Sequence, residues 1–300
     1  MDLLIKKQPF FSAIIPTYNR PHQLYSCLQA FSHLDYSRDG FEVIVVDDES
    51  EKSLEPMVAP FRDRIKIILV TQPHGGPAKA RNYGAAQAKG EFLVFTDDDC
   101  TPSPNWLQTL AAHFNEIPHQ IVGGRTINAL RHNPYSTTSQ FVIDFVYAYY
   151  HSNTGPVLRF FASNNMALPA DSFHTMGGFD PTFTTSEDRE LCNRWLNQGY
   201  PMSFAPEAIV YHSNDLTFYR FCRQHWGYGR GAFRFHRKRA QHGWGSFRPD
   251  PKFYIGLIFY PLRREQVQRA FLVKVLLVIS QVANAAGFLW EWIKQNRKRF

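Results

Sequence analysis

Four apolar runs of strand length, at residues 11–15, 42–46, 65–70 and 91–95, recur through the first hundred residues, with helix-patterned stretches between them. Pro16 stops the first run, and Pro21 opens a helix that the pattern carries to Phe31. Gly75-Gly76-Pro77 opens a second helix, and Lys89-Gly90 closes it. Strands that alternate with helices pair in parallel through right-handed crossovers, with helices on both faces. Such sheets bind ligands at the carboxyl ends of their strands. Three of the four ends here carry polar groups: Thr17-Tyr18-Asn19, Asp47-Asp48 and Asp97-Asp98-Asp99.

The carboxylate triplet is the sharpest of these. Three like charges repel one another and add nothing to a core. Hard divalent cations such as Mg²⁺ and Mn²⁺ favour oxygen ligands and keep positions open for substrate phosphates. Strand alternation predicts Asp97 and Asp99 on one face with Asp98 turned away. A solvated acidic turn is the plain alternative.

From residue 121 to 211 the pattern loosens. Residues 162–167 are strand-like, and a turn follows at 177–181. A helix then begins after Thr185 or Ser186, with Leu191, Cys192, Trp195 and Leu196 as its apolar stripe. Glu187 and Asp188 in its first turn suit the helix dipole on that ground alone. Asn164 and Asn165 can bond ligand hydroxyls or cap backbone.

Charge divides the chain. Residues 216–300 carry 17 Lys/Arg against 3 Asp/Glu, whereas residues 1–215 carry 16 against 23. The break predicts a boundary near residue 215 and an anionic partner for the C-terminal part: nucleic acid, phospholipid or a pyrophosphate-linked substrate. A length of 300 residues, 44% apolar, suits one large α/β domain with an appendage or two modest domains. Cys27, Cys100, Cys192 and Cys222 show no zinc spacing, as expected of buried small hydrophobes in a reducing compartment. Residues 1–7 are too short an apolar stretch for a signal peptide.

Six segments in order resemble the family 2 glycosyltransferases of the GT-A fold: residues 12–20, 45–50, 76–82, 95–99, 177–180 and 186–188. The resemblance covers roughly residues 9–215, taken as the catalytic domain, with 216–300 as a basic, helical, aromatic-rich extension. It implies a mostly parallel, Rossmann-like α/β sheet flanked by helices, and inverting transfer from a nucleotide-sugar, a UDP-sugar first, to a hydroxyl. Cell-surface polysaccharide or glycolipid synthesis would be the setting.

By the same resemblance Asp48 accepts from the base, and Pro16, Thr17 and Tyr18 pack on the nucleoside. Arg81, near a helix N-terminus, suits phosphate or nucleotide contact. Asp99 is the first candidate for Mg²⁺ or Mn²⁺ ligation, with Asp97 and His212 beside it, and Asp97 and Asp98 lie nearer the sugar or ribose. Asp188 takes the place of the general base. Glu187, Asn164 and Asn165 are candidate acceptor contacts. The implied partners are a nucleotide-sugar donor and a saccharide or lipid-linked acceptor. Paired carboxylates on a Rossmann-like sheet also suit a nucleotidyltransferase, and the basic tail a nucleic-acid or anion-binding protein; the resemblance favours neither.

In the extension, residues 223–231 mix cations, aromatics and glycines, as a mobile flap would. Residues 275–290 carry no charge, yet 16 residues fall short of the roughly 20 needed to span a bilayer. Lys274, Ser280, Gln281 and Asn284 fall on one side, and Arg263, Arg264, Arg269, Lys294, Arg297, Lys298 and Arg299 flank the stretch. This predicts an amphipathic helix on an anionic membrane surface, with the protein peripheral to the cytoplasmic face. A helix docked on protein is the alternative.

Overall fold

The computed structural model describes residues 8–152, 160–260 and 267–297. The readings made for residues 1–7, Arg263, Arg264, Lys298, Arg299 and the Arg269 side chain lie outside them. The elements begin with β1 (Phe11–Thr17), α1 (Pro21–Phe31), β2 (Phe41–Asp47), α2 (Glu55–Val58), β3 (Ile67–Thr71), α3 (Pro77–Gln87), β4 (Phe92–Phe95), β5 (Cys100–Pro102), α4 (Trp106–Glu116) and β6 (Ile121–Asn128). There follow α5 (Pro134–Ser152), β7 (Met166–Pro169), α6 (Ala170–Thr175), α7 (Glu187–Asn197), β8 (Met202–His212), α8 (Phe218–Gln241), α9 (Pro251–Phe259) and α10 (Val267–Arg297).

Two compact units emerge. The first runs to Ile127 and adds Phe161–Thr182 and Leu191–His212; the second takes Asn128–Phe160, Phe183–Glu190 and everything from Ser213. The charge break near residue 215 lies close to Ser213, where the last stretch of the second unit begins. The second unit nevertheless also claims 128–160 and 183–190, which the sequence reading had placed in the domain at 9–215.

The first unit is built on one sheet of order β3-β2-β1-β4-β7-β6-β8-β5. β3, β2, β1 and β4 are mutually parallel, while β7 runs antiparallel to β4 and β6, and β5 antiparallel to β8. The sheet is therefore mixed, with its parallel half in the alternating N-terminal third. β1 is apolar enough to be buried on both faces, and it pairs Ile14 with Ile44 and with Phe95. That register brings the ends of β1, β2 and β4 together, so the carboxylate triplet leaves the sheet beside Thr17. A Cβ on Gly84 would lie 2.7 and 2.8 Å from methyls of Ile14 and Val46, so α3 sits directly on β1 and β2. On the other face Phe92 stacks on Phe114 at 4.0 Å, within a core that includes Phe11, Phe31, Phe41 and Trp106.

In the second unit α8 and α10 pack together through reciprocal glycines. A Cβ on Gly229 would meet the Asn284 carbonyl oxygen at 1.8 Å, and one on Gly287 the Trp226 oxygen at 2.0 Å. Residues 223–231 are thus the middle of a helix rather than a flap: their glycines serve close helix packing. The basic run is also partly spent. Arg230 and Arg234 each reach Glu291 at 2.8 Å, and Lys238 reaches Glu190 at 2.7 Å. Both acids are buried, at 1% and 2% exposure.

α10 forms as an amphipathic helix with its polar side against the protein and apolar side chains exposed. Ser280 and Glu291 of α10 are buried, while Phe271, Val282, Leu289 and Trp290 are exposed. Leu276 is buried and Phe288 rests edge-on against Phe233, so these two apolar side chains face the protein. Ala270–Arg297 is long and apolar enough to cross a membrane by length and composition, and only 28% of its most apolar stretch is buried.

Candidate functional site

In the first unit the triplet follows β4 as a turn, so strand alternation does not apply. Asp98, not Asp97 or Asp99, is the most buried of the three, at 3% exposure. Thr17 Oγ1 donates to Asp98 Oδ2 at 2.8 Å. Arg20 Nη1 bridges Asp98 Oδ1 and Asp99 Oδ2, 3.1 Å from each. Burial pushes the Asp98 carboxyl up to about 7, against the opposing pull of Arg20 and Thr17. Thr17 and Asp98 are therefore engaged with each other.

Asp97 is held from α3. Arg81 Nη2 donates to Asp97 Oδ1 at 2.7 Å, and Arg81 is only 4% exposed. Its guanidinium lies 5.7 Å from the Phe179 ring centre. The Gly177-Gly178-Phe179 turn needs its glycines, with φ of +79° and +69°. Asn82 closes it, accepting from Phe179 N at 2.9 Å and donating to Phe179 O at 2.7 Å. Arg81 is thus a buried support for Asp97.

Asp99 meets His212, which sits at the end of β8 opposite Cys100 in the β5 register. Nε2 of His212 lies 3.2 Å from Asp99 Oδ1. Burial opposes both charges, yet each partner favours the other, so Asp99 falls below and His212 rises above its ordinary value. Asp99, His212 and Cys100 have ligand atoms within 4.8 Å of one another. Burial first, then Asp99 and Asp97, push the Cys100 thiol well above its ordinary range, so it stays protonated. One carboxylate and one imidazole beside further carboxylates fit a hard divalent cation such as Mg²⁺ or Mn²⁺ with open positions. Asp97 lies outside that group, held by Arg81.

Asp48 organises the loop before α3. Its Oδ1 accepts from Gln72 Nε2 at 2.6 Å and Gly75 N at 2.9 Å, and its Oδ2 from Gly76 N at 2.9 Å. His74 Nδ1 lies 2.9 Å from the same Oδ2. Three N–H donors take three of the four lone-pair positions of the carboxylate. His74 Nδ1 also lies 3.1 Å from the Asp48 carbonyl oxygen, from a side chain that is 53% exposed. The His74 ring lies tilted against Tyr18, ring centres 4.4 Å apart, and Tyr18 is 44% exposed. Pro16 is half-buried. Non-glycine residues in the left-handed region, Asn19 and Glu49, lie just past β1 and β2.

Asn165 is structural. It is 2% exposed, donates to the Arg125 and Ala208 carbonyls at 3.1 and 2.9 Å, and accepts from Trp106 Nε1 at 2.9 Å. Asn164 is half-buried, its carbonyl and side-chain oxygens taken by Thr96 and Thr126.

In the second unit Glu187 is buried and Asp188 half-buried at the start of α7. Asp188 Oδ1 accepts from Arg189 N at 2.7 Å. Ser186, just before them, has φ of +69°, and a Cβ on Gly231 would meet its hydroxyl at 2.6 Å. Backbone strain and a glycine-made approach thus fix this helix start. Sequence reasoning quoted Arg20 only as part of a motif and passed over His74, because nothing in sequence ties either to a carboxylate far along the chain.

These features meet in one class: a nucleotide-type α/β sheet with acidic strand ends and a histidine beside the last. Residues 12–176 match the model of glycosyl transferase family 2, and the chain belongs to that family. That membership sets the nucleotidyltransferase reading aside. Validoxylamine A glucosyltransferase of Streptomyces hygroscopicus subsp. jinggangensis is 31% identical over 229 residues, covering 67% of this chain and 54% of the relative. The chain thus spans about half the length of that relative. Glycosyltransferase AglE of Haloferax volcanii is 26% identical, covering 94% of this chain and 95% of the relative. The structure of a Pyrobaculum calidifontis mannosyltransferase in complex with GDP-mannose and Mn²⁺ superposes with a TM-score of 0.66 at 17% identity, over 95% of this chain and 88% of that one, a likeness of fold.

Proposed function

We propose that this chain transfers a sugar from a nucleotide-sugar, a UDP-sugar first, to an acceptor hydroxyl with inversion. The observation that carries this is the Asp97–Asp99 turn, with Arg81, Arg20 and His212 each fixing one or more of its carboxylates. Asp99 and His212 are the residues to hold Mg²⁺ or Mn²⁺. A divalent cation bound there would offset the negative charge that develops on the departing nucleoside diphosphate.

Tyr18 and His74 supply an aromatic surface for the base, and Asp48 shapes the loop beneath it. Asp97, steered by Arg81, is the residue for a donor hydroxyl. Arg20 and Asp98 keep the turn in register. Asp188 acts as general base by its place in the family motif, taking the acceptor proton as the new bond forms. A single displacement of this kind needs no nucleophilic carboxylate and inverts the anomeric centre.

The exposed apolar side of α10 supports attachment to a membrane surface, with the protein on the cytoplasmic side and a saccharide or lipid-linked acceptor in polysaccharide or glycolipid synthesis. A thermal-shift screen of UDP- and GDP-sugars with and without Mn²⁺, followed by product analysis, tests the reading, since a ligand that binds the native state raises its Tm. No Mn²⁺-dependent shift with any nucleotide-sugar would reject it.

A further inference from the structure

Beside Asp188, the second unit holds two arginines, Arg189 and Arg239, that form no ion pair among the described residues. Arg189 and Arg239 lie over the same Phe235 ring, their guanidinium carbons 4.5 and 5.6 Å from its centre. The Nε of each is buried without a hydrogen bond. Arg239 satisfies one further nitrogen on the Trp244 carbonyl at 2.7 Å, and Arg189 also faces the Phe160 ring at 5.7 Å. Between Phe235 and Phe247 stands His236, 9% exposed, whose Nδ1 is likewise buried and unpartnered.

The nearby acids are committed elsewhere. Asp188 takes the Arg189 backbone N–H, Glu190 takes Lys238, and Asp250 caps α9 and accepts from Tyr149. Burial, and then the two arginines, push His236 down to about 3, so the ring is neutral and can donate from Nδ1. Burial also lowers Arg189, with Arg239 adding to the effect, against the weaker opposing pull of Tyr150 and Asp188. Two partly desolvated like charges and three unused donors are costly to keep side by side unless something anionic joins them. Guanidinium forks fit phosphate oxygens in particular.

We propose that Arg189, Arg239 and His236 form a phosphate-binding site that holds an anionic group of the acceptor beside Asp188. The acceptor assignment rests on the transferase reading above; the phosphate site does not. It would favour acceptors with a phosphate near the reacting hydroxyl over neutral sugars.

The test uses the full chain, titrated with inorganic phosphate by calorimetry and thermal shift, as wild type and as Arg239→Gln and Arg189→Gln. Each substitution should weaken phosphate binding roughly 10- to 100-fold, the effect of losing a hydrogen bond to a charged group. UDP affinity should not change. Without phosphate the variants should melt no lower than wild type, because a like-charge contact is relieved. Should Arg239→Gln fail to fold, Arg239→Lys keeps the charge, loses the fork and should still weaken binding. Wild-type phosphate affinity in the variants would overturn the site. Displacement of phosphate by UDP would place it at the donor, and loss of binding to phosphatidic acid vesicles in the variants would make it a headgroup site; either overturns the acceptor role. If UDP does not bind at all while phosphate does, the transferase reading fails and the site stands.

Discussion

Arg81 Nη2 donates to Asp97 Oδ1 at 2.7 Å from a side chain that the fold almost closes off from water. A buried cation is thus spent on orienting one partly exposed carboxylate. Its supports are local: the Phe179 ring lies against it, and Asn82 pins the turn that carries that ring. Arg81→Gln should cost about 1–3 kcal/mol of stability, the range for losing a buried charged hydrogen bond. It should also weaken nucleotide-sugar binding. Denaturant unfolding and calorimetry with a UDP-sugar check the two effects separately.

Asp99→Ala should abolish Mn²⁺-dependent binding of UDP or GDP while leaving the fold intact. The lost groups are contacts to His212 and Arg20 at a strand end, not core packing. Calorimetry with nucleotide and Mn²⁺ is decisive, and unchanged affinity would remove Asp99 from the metal site.

Asp188→Asn should retain donor binding but slow transfer by roughly 10²–10⁴-fold, the usual contribution of a positioned base. Turnover within a few-fold of wild type would send the search to another residue. NMR of the product anomer supplies the companion measurement, and a retained configuration would rule out single displacement.

Glu291 sets an acid limit on the α8–α10 pair. Burial alone would raise its pKa, but Gln295, Arg230 and Arg234 prevail and hold it at about 2, against 4.5 ordinarily. A depressed carboxyl stabilises the fold fully above the unfolded value, so this contribution is present above about 4.5 and lost as pH falls towards 2. Glu291→Gln should destabilise the protein at neutral pH by about 3–5 kcal/mol, as breaking a buried pair does. It should also flatten the stability profile between those pH values. Urea midpoints measured from pH 3 to pH 7 show both.

The exposed face of α10 should bind membranes. Phe271, Val282 and Leu289 are 75%, 64% and 55% exposed, and replacing all three with serine should abolish sedimentation with anionic vesicles. Release by high salt would indicate surface attachment. Equal, salt-resistant sedimentation with neutral vesicles would indicate insertion instead.

The parallel half of the sheet was legible because alternating apolar strands and glycine- or proline-bounded helices are local signals. β2 and β4 appear within a residue of their expected places, and the acidic strand ends with them, while β1 runs through Pro16 to Thr17, two residues past its expected end. The antiparallel half was not, since β5 and β7 are only three and four residues long and acquire meaning through partners far away. The triplet was recognisable as a site, but its internal division of labour was not: Asp98 is buried by Thr17 and Arg20, a contact about 80 residues distant in sequence. The basic tail misled for a related reason. Composition counts charges without showing that Glu190 and Glu291 consume three of them.

The glycine contacts between α8 and α10 also bear on how the protein is made. Gly229 and Trp226 leave the ribosome more than fifty residues ahead of Asn284 and Gly287, the groups they must touch. Until α10 has emerged, Arg230 and Arg234 have no Glu291, and the face of α8 that will receive it is bare. The second unit therefore matures late in synthesis. A nascent chain stalled or cut after α8 should bind chaperones and be degraded, so removing α10 would take away part of the folded body rather than a detachable anchor.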